Sequence, residues 1–143
     1  MFAKQVSIFV ENKKGRLEEV TRVLADAGIN IRALSMADMA DLGVLRLIVD
    51  DRPRCLSVLR EHDLVAQETE VIAARMQDRP GGLHRIIEAL GGEQMNIEYM
   101  YTFLAKDSEG AIVVIKISEP KRAAEVLSKN GIDVLPEDVI QKL

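Results

Sequence analysis

A tight glycine turn recurs in this chain at a fixed interval, and that repeat constrains the fold more than any other feature. The stretch Asn12-Lys13-Lys14-Gly15-Arg16-Leu17 returns 66 positions later (Gly15 to Gly81) as Asp78-Arg79-Pro80-Gly81-Gly82-Leu83. Apolar residues at period two precede the first turn (Val6, Ile8, Val10), and a helix-period run follows it (Leu17, Val20, Leu24). That pattern predicts a strand-to-helix turn with Gly15 at the bend. The register holds beyond the turn: Lys4 answers to Glu70, Leu24 to Leu90, and Ile29-Asn30-Ile31 to Met95-Asn96-Ile97. Self-similarity at this period means two copies of one supersecondary unit.

The 143 residues divide on this repeat into two units, 1–69 and 70–143. Apolar residues make up 48% of the chain and aromatics 3%, so each core must be built from aliphatic side chains. A net charge of −4 argues against a nucleic-acid partner, which would need a basic patch. No apolar run reaches the ~20 residues of a membrane span, and Met1-Phe2-Ala3-Lys4 does not open a signal peptide. A single cysteine, Cys55, leaves no internal disulfide and fits a reducing compartment. The expectation is a cytoplasmic protein with no membrane or nucleic-acid partner.

Strand and helix signals alternate in the same order in both units. Unit one reads as a strand to Glu11, a helix with Leu17, Val20, Thr21, Leu24 and Ala27 on one stripe, and a stop at Gly28. Strands over 30–38 and 44–49 follow, then a helix capped by Asp51 with Pro53 in its first turn. The stretch 64–76 must hold the last strand of unit one and the first of unit two. Unit two repeats the order, with Leu83, Ile86, Ile87 and Leu90 inward on its first helix and Ser118 capping its second. Lys106–Gly110 reads as a hairpin turn, and Asp138-Val139-Ile140 echoes the strand residues Glu70-Val71-Ile72. The predicted class is α+β: two ferredoxin-like βαββαβ repeats, antiparallel sheets with helices on one face. The third strands are apolar on both faces (Val44 to Val49, Ile112 to Ile115), so the face away from the helices needs a second cover. Face-to-face packing of the units or of two chains supplies one, and a homodimer is expected.

A βαββαβ unit with an N-x-x-G-x-L turn after its first strand and I-N-I at its second strand resembles the ACT domain. The matching residues are Asn12, Gly15, Leu17, Gly28, Ile29, Asn30 and Ile31, then Asp78, Pro80, Gly81, Leu83, Asn96 and Ile97. The resemblance spans the chain and implies a stand-alone tandem ACT protein, a regulatory module of amino-acid metabolism. It implies paired sheets side by side and a free amino acid bound where the turn of one unit meets the second strand of its partner. Carried onto this chain, one half-site is Asn12, Gly15, Arg16 and Leu17, and the other is Asp78, Gly81, Gly82 and Leu83. Asn30-Ile31 and Asn96-Ile97 contribute across the interface.

The residue chemistry supports such a ligand independently. Amide groups at a helix N-terminus and the helix dipole suit a carboxylate. An asparagine side chain offers both a donor and an acceptor, and glycine lets a ligand reach the backbone. Asp78 stands where the family pattern has asparagine; its carboxylate holds an ammonium but repels a carboxylate, so the unit-one turn ranks first. A purely structural reading stands beside this one: Asn12 and Asp78 cap turns, the glycines serve geometry, and Asn30 and Asn96 are turn residues. Arg16 reads as solvated surface rather than a carboxylate clamp.

Other chemistry is not signalled. His62 and His84 form no ligand-spaced cluster with Cys55, so no metal is expected, and no cofactor motif is present. Cys55 reads as core rather than nucleophile. Tyr99, Tyr101 and Phe103 alternate along a strand as packing residues rather than a base-stacking platform. The expected function is a non-catalytic regulator that senses a free amino acid and modulates a partner enzyme or regulator. The alternative is a constitutive subunit or scaffold of a metabolic enzyme complex with no ligand; a small enzyme comes third, with no acid/base pair or nucleophile to support it.

Overall fold

The computed structural model describes residues 2–11, 13–39, 41–105 and 110–142. Its elements run β1 (Ala3–Glu11), α1 (Arg16–Asp26), β2 (Ile31–Met39), β3 (Leu42–Val49), α2 (Arg52–Glu61) and β4 (Ala66–Met76). They continue as α3 (Gly82–Gly91), β5 (Ile97–Leu104), β6 (Ala111–Ile117), α4 (Pro120–Lys129), β7 (Val134–Leu135) and α5 (Glu137–Ile140). Contacts divide the chain into Lys4–Thr69 and Glu70–Leu143, with the residues up to Ala3 grouped with the second unit.

Each unit is a four-stranded antiparallel sheet with two helices on one face. In the first, the strand order is β2-β3-β1-β4; in the second, β5 pairs β6, β6 pairs β4, and β4 pairs β7. The order is the split βαβ arrangement in both cases. β4 is one uninterrupted strand, so the fourth strand of one repeat runs directly into the first strand of the next. The 64–76 stretch therefore contains no separate linker.

The cores are aliphatic, as the composition requires. In the first unit Val6, Ile8 and Val10 of β1 and Leu45, Leu47 and Val49 of β3 meet Val20 and Leu24 of α1 and Cys55 and Leu59 of α2. In the second, Ile72, Val113, Ile115 and Ile117 meet Ile86 and Leu90 of α3 and Ala123 and Leu127 of α4. Each such fully buried Leu or Ile contributes about 2–3 kcal/mol against solvent exposure. On the other face of the strands Val44, Ile48, Val71, Ala73, Ile112 and Val114 are buried as well, consistent with strands that are apolar on both sides. Gln5 and Ser7 share that burial, and the Gln5 amide donates to Ser7 Oγ at 3.0 Å, which satisfies both.

The caps explain where the sequence pattern held and where it did not. Asp51 Oδ1 accepts from the Arg54 amide at 3.2 Å, and Gly28 and Gly131 adopt left-handed φ of 73° and 72° after their helices. Ser118 is not the cap of α4; that position is Glu119, which makes no side-chain cap, and Pro120 opens the helix. Leu17 and Leu83 are expected inward but are 44% and 41% exposed; each is the second residue of its helix, in the first turn after the glycine. Thr21, on the stripe of Leu17, proves exposed as well. The echo of β4 at Asp138–Ile140 is a short helix instead. Pro136 cannot donate to a ladder, and Glu137 and Asp138 suit the positive end of a helix. The hairpin turn expected at 106–110 lies outside the described residues except for Gly110.

The two glycines of the second turn are not equivalent. Gly81 has φ of 88° with nothing within 4 Å of an added Cβ, whereas a Cβ on Gly82 would fall 2.0 Å from the Gln77 carbonyl oxygen. Gly81→Ala should cost about 1 kcal/mol through backbone strain. Gly82→Ala should cost more, since backbone must move, and its melting temperature should drop further than that of Gly81→Ala.

Candidate functional site

The glycine turn is built alike in both repeats. The Lys13 amide donates to Glu11 O at 2.7 Å, the Arg16 amide to Lys13 O at 3.3 Å, and the Glu19 amide to Gly15 O at 3.0 Å. The second copy has Arg79 to Gln77 O at 2.9 Å, Gly82 to Arg79 O at 2.9 Å, and Arg85 to Gly81 O at 3.0 Å. Gly15 and Gly81 each sit at the N-cap with φ of 89° and 88°, a left-handed conformation that disfavours any residue with a Cβ. A glycine N-cap has no side chain of its own to satisfy the amides of the first turn, where the helix dipole is positive.

Two creases flank the first turn. One, of about 290 Å³, is lined by Val10, Glu11, Lys13, Leu17, Met36, Ala37, Asp38 and Gly43. The other, of about 470 Å³, is lined by the apolar Phe9, Val10, Val20, Leu42, Leu64 and Val65 and by the polar Glu11, Arg16, Glu19, His62 and Asp63. Lys13 Nζ lies 3.0 Å from Glu11 Oε2, and its hydrogen bond and charge, with Arg16 behind them, hold the Glu11 carboxyl below its usual range. Arg16 lies 3.0 Å from Glu19, an exposed pair of little energetic weight. In the second unit the crease at the matching place measures about 190 Å³ and is lined by Arg75, Met76, Gln77, Gly82, Arg85 and Ile86 among others. There the Arg85 guanidinium donates to Asn130 O at 2.8 Å from the position that Glu19 holds in unit one. The unit-one turn has the more open surroundings.

The expected site residues fall into two groups within each unit. Gly15, Arg16 and Leu17 lie together at the turn, as do Asp78, Gly81, Gly82 and Leu83; Asn12 lies outside the described residues. Asn30 and Ile31 stand at the other end of the sheet. The turn follows the pair Glu11↔Leu42, while Ile31 pairs with Val49, so seven residues of β3, roughly 20 Å, separate them. The same holds for Asn96 and Ile97, since Ile97 pairs with Ile117 and the turn follows Met76↔Ala111. Asn30 closes β2 onto β3: its amide donates to Asp50 Oδ1 at 2.9 Å and its carbonyl accepts from the Asp50 amide at 3.1 Å. Asn96 O accepts from the Ser118 amide at 3.1 Å. What β2 brings to the turn of its own unit is Met36, Ala37 and Asp38, which the motif did not single out. Counting the antiparallel register along the β2–β3 hairpin would have found them.

Among the described residues, no group of three His, Cys, Asp or Glu side chains is placed to hold a metal ion. Cys55 is fully buried, and burial, with the charges of Asp50 and Asp51 adding to it, pushes its thiol up to about 11. A thiol so placed is not a nucleophile at neutral pH. Iodoacetamide at pH 8 should label it far more slowly in the folded protein than in urea, because the folded thiol is both closed to the reagent and less ionised. The same rise makes stability fall from the thiol's unfolded value of 9.0 up to about 11, because only the unfolded chain ionises there.

The sequence profile of the ACT domain pair matches residues 1–143. The chain belongs to the ACT domain family. Among solved structures, protein BT0572 from Bacteroides thetaiotaomicron is 41% identical, covers 100% of this chain and 98% of its own, and superposes with a TM-score of 0.92. The ligand-free regulatory subunit of aspartate kinase from Thermus thermophilus is 17% identical, with coverage of 90% and 93% and a TM-score of 0.63. Its counterpart from Thermus flavus is also 17% identical, with coverage of 92% and 94% and a TM-score of 0.62. At that identity the two subunits share the fold of this ACT pair. No curated protein matches the chain. No helix among the described residues is long and apolar enough to cross a membrane.

Proposed function

We propose that this ACT domain pair is a non-catalytic regulatory protein that binds a free amino acid and modulates a partner enzyme or regulator. One observation carries the reading: the left-handed glycine turn at a helix N-terminus, reproduced hydrogen bond for hydrogen bond in both repeats. Amides of the first turn at Gly15 and Leu17, on either side of the Arg16 amide that Lys13 O already holds, receive the ligand carboxylate, and Glu11 and Asp38 beside them are acceptors for its ammonium. Asn12 belongs to the same proposed half-site, and Asp78, Gly81, Gly82 and Leu83 form its counterpart. Asn30-Ile31 and Asn96-Ile97 are proposed to act across an interface. The open creases of unit one favour it over unit two, where Arg85 and Asp78 alter the same position. The likeness in fold to aspartate kinase regulatory subunits supports a role exerted on a separate catalytic protein, and the single, unpaired cysteine suits the reducing cytoplasm in which that role is proposed.

Ligand binding shifts a conformational equilibrium only by its differential affinity for the two states, typically ~1–3 kcal/mol. A thermal-shift screen against the twenty amino acids at millimolar concentration tests the reading. A ligand at ~100 times its dissociation constant adds ~2.7 kcal/mol, which is several degrees at this size. Leu17→Asp should abolish that shift while leaving the unliganded melting temperature unchanged or raised, because its own carboxylate occupies the helix N-terminus. A panel with no shift would favour the second reading, a constitutive subunit of a metabolic enzyme complex. The exposed apolar side chains Leu34, Met36 and Leu104 are the observation on its side.

A further inference from the structure

The crease of about 470 Å³ in unit one has a counterpart in unit two, and there the chain fills it with a side chain of its own. The two places are built alike. In unit one the Leu64 amide donates to Leu59 O at 2.9 Å and the Phe9 amide to Val65 O at 3.1 Å. In unit two the Ile132 amide donates to Leu127 O at 3.0 Å and the Arg75 amide to Asp133 O at 2.9 Å. His62 at the end of α2 therefore answers to Asn130 at the end of α4. Asp63, with φ of 56°, answers to Gly131, with φ of 72°.

In unit two the Arg85 guanidinium lies over this helix end. Its Nη2 donates to Asn130 O at 2.8 Å and stands 3.4 Å from where a Cβ on Gly131 would be. Carbonyls at a helix C-terminus carry the negative end of the dipole and have no partner within the helix, so a cation is favourable there. Unit one keeps the helix end and loses the cation. Glu19 stands where Arg85 does, at the interval of the repeat, and a carboxylate has no proton to donate. Asp63 brings a second carboxylate where unit two has glycine. Three carboxylates, Glu11, Glu19 and Asp63, line the crease against one guanidinium, that of Arg16. Glu11 and Glu19 lie in exposed ion pairs with Lys13 and Arg16, which hold them only weakly. The apolar lining is open to solvent as well: Phe9, Leu42 and Val65 are 36%, 44% and 64% exposed. Arg75 and Asp133 replace Phe9 and Val65 in unit two, where the crease shrinks to about 190 Å³.

We propose that the unit-one crease is a second binding site, for a small molecule that ends in a guanidinium on a short apolar chain. The guanidinium takes the position that Arg85 takes in unit two and donates to His62 O and the Asp63 carboxylate with its fork of N–H groups. The chain packs on Phe9, Leu42 and Val65. The volume, about 470 Å³, falls in the range of about 300–1,000 Å³ usual for small-molecule pockets. This crease takes Leu64 and Val65 from the segment before β4, whereas the crease of the amino-acid reading takes Met36, Ala37 and Asp38 from β2. The inference does not rest on that reading.

A titration of the nitrogen-15-labelled full chain with n-butylguanidinium chloride, at constant ionic strength, tests it. The probe has neither carboxylate nor ammonium, so it does not report on amino-acid binding. Amides of Phe9, Glu19 and His62 to Val65 should shift saturably at millimolar concentration, and those of Ala37 and Asp38 should not. n-Butylurea, the neutral isostere, should move none of them. Glu19→Arg gives unit one the guanidinium of unit two; it should abolish the shifts and keep or raise the melting temperature. Glu18→Arg makes the same change of charge one residue away, outside the crease, and should leave the dissociation constant within about twofold. No saturable shift with n-butylguanidinium, equal shifts with n-butylurea, a Glu19→Arg protein that binds as well as the wild type, or equal loss in Glu18→Arg would overturn the proposal. Shifts at the crease with no response to any amino acid would support it and overturn the amino-acid reading alone.

Discussion

The left-handed glycine at the end of the first strand is the constraint on which the rest of this structure depends. It reverses the chain within a few residues, so that α1 packs directly back on β1 and buries Val20 and Leu24 against Val6, Ile8 and Val10. It also leaves the helix without a side-chain cap. One backbone conformation thus serves packing and recognition together, and the second repeat preserves it at Gly81. Side chains around the turn have diverged while the backbone has not: Glu19 answers to Arg85, Phe9 to Arg75, and Arg16 to Gly82. Repeats that keep a backbone and vary its surroundings are suited to hold one geometry with different occupancy.

Much of the architecture was legible in the sequence because it rests on short-range physics. A period-two run placed β1, a helix-period run α1, a continuous apolar run β3, and the Asp51 cap with Pro53 α2, and the 66-residue repeat (Gly15 to Gly81) doubled the inference. The misses have local causes. Leu17 and Leu83 fit a helical stripe, but in the first turn after the glycine each stays half exposed. Asp138-Val139-Ile140 resembles Glu70-Val71-Ile72 in sequence, yet Pro136 ends the strand before it. Similarity of three residues yielded to the missing donor of one.

The candidate site was legible as motif and not as geometry. Glycine, arginine and leucine at the turn were found by spacing. Asn30 and Asn96 were found by repetition, and the fold sets them at the far end of the sheet from the turn of their own unit, each tied into the β3 or β6 end by backbone hydrogen bonds. Motif spacing along a chain does not encode which end of an antiparallel hairpin a residue occupies; the strand register does. Met36, Ala37 and Asp38 are near the turn for that reason.

The central claim is that the first turn of α1 receives an amino-acid carboxylate, and the most direct measurement is an amide chemical-shift titration of the nitrogen-15-labelled protein. Pools of the twenty amino acids, added at millimolar concentration and then resolved individually, should move the Gly15, Arg16 and Leu17 amides saturably with a single active compound. Saturable shifts confined to other residues, or none with any amino acid, would contradict the account.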